Sequence, residues 1–150
     1  MAYTIQAIIT KETVSSLYSG PGLSWTTLSQ AMTLAPLGTS FCEQNSIPFL
    51  PFTDEGLKSV PAQIAEICEA ISLNGKVAYI EAEFHGGDGG QAAILWNKGK
   101  IISEIIVAED AINQALKYLD VKNIECRDEF EALGLGRYRK TDDWNKPQKN

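Results

Sequence analysis

Residues 77–107 read VAYIEAEFHGGDGGQAAILWNKGKIISEIIV, and no other stretch limits what this chain can fold into as tightly. It holds the densest apolar alternation, a run with four glycines and the single histidine, His85. Strand side chains change sides at every residue. An extended 77–84 therefore puts Ala78, Ile80, Ala82 and Phe84 on one face and Val77, Tyr79, Glu81 and Glu83 on the other. The first set suits a core and the second a wetter surface. A second run, 91–96, meets a third, 100–107, across Asn97-Lys98-Gly99, where Asn and Gly tolerate the positive φ of a hairpin turn. The third run is apolar at nearly every position, which predicts a central strand covered on both faces. The expectation is a three-strand antiparallel meander over 77–107.

The flanking sequence supplies one further strand and several helices. Residues 3–10 alternate as a strand, with Tyr3, Ile5, Ala7 and Ile9 on one side. After the break at Gly20-Pro21-Gly22, Ser24 is placed to cap a helix in which Leu28, Ala31, Met32 and Ala35 follow helical spacing and Pro36 ends the run. Residues 37–60 read as loop with short extended pieces, pinned to the body by Phe41, Phe49, Leu50 and Phe52. Pro61 opens a helix to about Leu73, with Ile64, Ile67, Cys68 and Ile71 as its buried stripe and Asn74-Gly75 as its stop. Glu109 and Asp110 favour the start of another helix, striped by Ile112, Ala115, Leu116 and Leu119. Asp128 and Glu131 have capping-box spacing for a short helix that Gly134 terminates. The polar tail beyond Trp144 is expected to fray. The predicted fold is a single α+β domain over 1–150: an antiparallel sheet of about four strands with helices packed on one face.

Composition narrows the function classes. No apolar run reaches the roughly 20 residues of a membrane span, and MAYTIQAIITKE lacks the basic and apolar regions of a signal peptide. Three widely spaced cysteines, Cys42, Cys68 and Cys126, fit reduced thiols in a cytosol better than a disulfide framework or zinc knuckle. The formal charge of −6 is uneven: residues 137–150 carry five basic and two acidic groups, leaving eight basic and seventeen acidic, or −9, in residues 1–136. Such a body repels a phosphate backbone, so nucleic acid is not an expected partner. Solubility accounts for the acidity as well as a basic protein partner does.

Chemistry, if present, centres on Glu81, Glu83, His85 and Asp88. Two carboxylates and an imidazole at two-residue strand spacing, about 7 Å per step, could bind a divalent metal or share acid–base work. A solvated strand face followed by a loop histidine explains the same residues more economically, so no metal or catalytic residue is assigned. HGGDGG joins two strands and lacks the lysine and Ser/Thr of a phosphate loop, so a hairpin connection or a close backbone approach is the expected role of its glycines. No serine lies in GxSxG. A Cys–His pair would require His85 to meet Cys42 or Cys126, which the sequence leaves open. GLGRYRKTDDW mixes Arg137, Tyr138, Asp142 and Asp143, residue types that suit either an interface hot spot or an arm folded back on its own domain.

YIEAEFHGGDGGQAAILW, DAINQALKYLDV and DEFEALGLGRYRKTDDW together resemble a set of small bacterial proteins, over about residues 76–144. That set is similar to immunity proteins of polymorphic or contact-dependent toxin systems. The resemblance implies a cytosolic protein, without cofactor or catalytic residues, that binds and blocks a cognate toxin domain such as a nuclease. On that expectation Glu81, Glu83, His85, Asp88, Arg137, Tyr138, Asp142 and Asp143 are candidate partner-binding residues, and a basic toxin is the partner an acidic surface would select. The alternatives are a small metal-assisted hydrolase using the Glu81/Glu83/His85 face, or a homo-oligomeric module.

Overall fold

The computed structural model describes residues 2–18, 20, 22–86 and 88–145. Pro21 of the expected break, Gly87 of the glycine run and the 146–150 part of the expected frayed tail lie outside the described residues. At the centre of the sheet, β1 (Tyr3–Lys11) and β4 (Val77–His85) pair antiparallel from Tyr3 against Phe84 to Thr10 against Val77, and β1 runs directly into a one-turn helix, α1 (Glu12–Ser15). β4 turns at Gly86 into β5 (Asp88–Asn97), with His85 opposite Asp88. β5 turns at Lys98-Gly99: Gly99 has the expected positive φ, but the second positive φ falls on Lys98 and not on Asn97. On the other side β1 takes β3 (Met32–Pro36), which takes β2 (Thr26–Thr27). With β6 (Lys100–Ile101) and β7 (Ile106–Val107) on the far side of β5, the described sheet has seven strands, all paired antiparallel.

Helices cover both faces of this sheet, which corrects the expected one-sided arrangement. Ile5, Ala7, Ile9, Ala78, Ile80 and Ala82 share a core with α4 (Ala111–Tyr118) and α5 (Glu129–Leu133). Ile8, Val77, Tyr79, Ile94 and Trp96 share the opposite core with α3 (Ala62–Ser72). Val77 and Tyr79, expected on a wetter surface, are fully buried. The reason lies in their size: leaving such side chains in water would forgo about 1.5–3 kcal/mol each, so a second helical layer is the stable solution.

Three further expectations change. Residues 24–36 form β2, a 3-10 turn at Ser29–Ala31 and β3 rather than a helix. Gln30 and Ala31 both have left-handed φ, which interrupts a helix, and all five residues of β3 are buried where an amphipathic helix would leave one side wet. The run 100–107 is not a continuous central strand. Two residues separate Ala93 from Trp96 on β5, but four separate their partners Ile101 and Ile106, so the chain bulges between β6 and β7. Ile101, Ile102 and Val107 are left exposed at this edge. Finally, the 37–60 loop contains a helix, α2 (Thr39–Asn45). Leu50 and Phe52 pin the following loop as expected, while Phe49 stays exposed.

Candidate functional site

Glu81 lies on the α3 face of β4, directly opposite Gln6 on β1 and beneath the loop that follows α2. It is fully buried. Its carboxylate accepts from the Phe52 backbone N–H (3.2 Å), the Thr53 N–H (2.7 Å), the Thr53 hydroxyl (2.6 Å) and the Tyr79 phenol (2.9 Å). Burial raises its pKa, and the donors from Thr53, Tyr79 and Phe52 work against that rise. Gln6 completes the anchorage: its amide donates to the Pro48 carbonyl and accepts from the Leu50 N–H. Glu81 is therefore a latch that holds residues 50–53 on the sheet. It is withdrawn from any exposed contact face, and its oxygens are occupied by donors, so neither a metal nor a partner meets it in this conformation.

Two residues further along the strand, Glu83 is half-buried and His85 is exposed, with His85 Nε2 at 3.4 Å from Glu83 Oε2. A pair with one partner in water contributes at most about 1 kcal/mol, and only when the imidazole is protonated. Asp88, opposite His85 across the hairpin, is exposed. Among the described residues no three His, Cys, Asp or Glu side chains are grouped to hold a metal. Of the glycines in this hairpin, Gly89 has a demanding position: φ is +155°, and a Cβ would run into the Glu83 carbonyl and lie 2.7 Å from Phe84 Cα. The backbone that approaches closely here belongs to the protein's own β4.

The 137–143 segment folds back onto the domain. The Thr4 N–H donates to the Arg139 carbonyl (2.8 Å) and the Gln6 N–H to the Thr141 hydroxyl (3.0 Å), along the part of β1 that β3 does not reach. Tyr138 is half-buried and meets buried Trp144 edge to face at 4.8 Å. Asp142 caps α2: Oδ1 accepts from the Thr39 N–H (2.8 Å) and Oδ2 from the Thr39 hydroxyl (2.7 Å). Asp143 is half-buried, and Arg137 is exposed at the end of a 3-10 turn.

This strap and the β4–β5 hairpin converge. His85 and Asp142, from two separate candidate segments, line one pocket of about 670 Å³ with Leu37, Cys42, Ile47 and Phe49. The pocket answers the Cys–His question in part, since Cys42 does share a cavity with His85. The Cys42 thiol, however, donates to the Leu37 carbonyl at 3.3 Å, and burial, with the Asp142 carboxylate second, pushes its pKa up to about 11. Protonated at neutral pH, it is an apolar wall and not a nucleophile. Sequence reasoning missed Leu37, Thr39 and Ile47 as wall residues, because α2 is oriented by a carboxylate about a hundred positions away. A second groove, about 560 Å³, runs between Leu57, Val60 and the bulged edge at Ile101, Ile105 and Val107.

The fold and these sites define a class: an antiparallel α+β protein with helices on both faces of its sheet, whose buried acid latches a loop. No helix among the described residues is long and apolar enough to cross a membrane. No family model matches the chain, and neither a curated protein nor a solved structure matches it.

Proposed function

We propose that this protein is an immunity protein: a cytosolic, stoichiometric inhibitor that binds and neutralises a cognate bacterial toxin domain. The observation that carries the reading is the bulged sheet edge. Ile101, Val107 and Leu57 line the second groove and are 41–68% exposed, and Ile102, also exposed, lies at the same edge. Aliphatic groups gathered around an open strand edge suit a macromolecular contact, since they gain from burial that the chain itself does not provide. The −9 charge of residues 1–136 adds attraction to a basic partner, such as a nuclease domain with a phosphate-binding cleft, and speeds encounter with it. Glu83, His85, Asp88 and Arg137 remain surface groups available to that partner, whereas Glu81 does not.

The metal-assisted hydrolase reading is weaker, because its first carboxylate is already saturated by loop donors. The test is co-expression with the toxin domain encoded beside the gene. A 1:1 complex and relief of toxicity are expected, with affinity reduced about tenfold or more in Ile102→Glu and Val107→Glu. A neighbouring toxin that neither binds nor is neutralised would sink the proposal. Light scattering of the protein alone distinguishes a self-associating module, in which the same edge is covered by a second copy.

A further inference from the structure

We infer that the pocket between α2 and the 139–142 strap is a binding site for a small amphipathic anion, with an apolar body and one carboxylate or sulfonate head. This does not depend on the toxin-binding proposal, which rests on the bulged β6–β7 edge, although His85 lines this pocket as well. The cavity, about 670 Å³, is within the range of about 300–1,000 Å³ typical of small-molecule sites. Its apolar walls are Leu37 and Ile47, both buried, and Phe49, which is exposed.

Three of the neutral polar side chains around the pocket are already committed. Both amide atoms of Gln6 hold the 48–50 loop, the Thr39 hydroxyl is given to Asp142, and the Thr141 hydroxyl takes the Gln6 N–H. Two cations remain. Arg139 and Lys140 line the pocket, both exposed, and neither forms a salt bridge with a described residue. Opposing charge comes from Glu43 and Asp142, and the Asp142 carboxylate is directed at the Thr39 donors at the start of α2. An anionic head is therefore best placed on the strap side, next to Arg139 and Lys140, with the apolar body against Ile47 and Phe49. An uncharged ligand would leave the cations unused, and a small inorganic anion would leave the apolar walls unused.

The experiment compares two dyes of nearly equal shape, 8-anilinonaphthalene-1-sulfonate and N-phenyl-1-naphthylamine, which lacks the sulfonate. Fluorescence titration of the intact protein should give one sulfonate-dye site per chain, about tenfold or more tighter than the neutral dye. The double variant Arg139→Glu/Lys140→Glu should erase that preference and leave neutral-dye affinity within about twofold, while Phe49→Ser weakens both dyes. Far-UV circular dichroism and thermal midpoints show that the variants fold, which their exposed positions favour. The inference is overturned by equal affinity for the two dyes, by no saturable sulfonate binding, or by a charge reversal that leaves sulfonate affinity unchanged.

Discussion

At the residue scale the telling group is Glu81. Its apparent chemistry in the sequence, a strand carboxylate two positions from another and four from a histidine, is replaced in the structure by three hydrogen bonds from one loop and a fourth from Tyr79 on its own strand. Glu81→Ala strands buried donors from Phe52, Thr53 and Tyr79 and is expected to cost about 3 kcal/mol or more, measured by urea denaturation. The pH dependence has a definite sign. Burial raises the folded-state pKa of Glu81 above its unfolded value, so the native state holds the proton more tightly. The contribution to stability is fully present below the unfolded pKa and declines as pH rises through the folded pKa. The stability difference between the parent and the non-titrating Glu81→Gln should therefore fall as pH rises out of the ordinary carboxylate range and then level. An increase over that window would mean that hydrogen bonding outweighs burial.

At the scale of elements, two helices are capped by aspartates of opposite origin. α5 is capped within its own turn, the Glu131 N–H donating to Asp128 at 2.9 Å, whereas α2 is capped by Asp142 from the far end of the chain. Asp142→Ala should cost about 1 kcal/mol and loosen α2 and the strap together, seen as faster amide exchange in both; exchange confined to α2 would separate them. The β4–β5 hairpin yields a paired test. Gly89→Ala meets the Glu83 carbonyl at a φ of +155° and should destabilise by about 1–3 kcal/mol. Gly90→Ala, with nothing within 4 Å of its Cβ, should stay within about 0.5 kcal/mol in the same thermal melt. Equal effects would show that the close approach of β4 is not what requires glycine.

At the scale of the whole molecule, sheet and charge act separately. The sheet is covered on both faces by helices and is bulged at its β6–β7 edge, while the acidity belongs to the body and the compensating bases to the last residues. If an acidic body steers a basic partner to that edge, raising ionic strength should slow association much more than it speeds dissociation, measured by stopped-flow mixing with the toxin domain. A salt-independent association rate would remove electrostatics from the proposed recognition.

Local periodicity by itself determined β1, the β4–β5 pairing, the Lys98-Gly99 turn, α3, α4 and the Asp128 and Gly134 ends of α5, because each is specified by neighbours in sequence. Helical spacing misread 24–36, where the free edge of β1 offers hydrogen bonds to an extended chain. The covering of both sheet faces, the burial of Glu81 and the capping of α2 were decided only by tertiary structure. The first needs α3 to fold back over Tyr79 a few residues further on, and the other two depend on partners distant in the chain: the loop at Phe52 and Thr53 over Glu81, and Asp142 beside Thr39. The sequence placed carboxylates on a strand, and only the packed fold decided which of them water can reach.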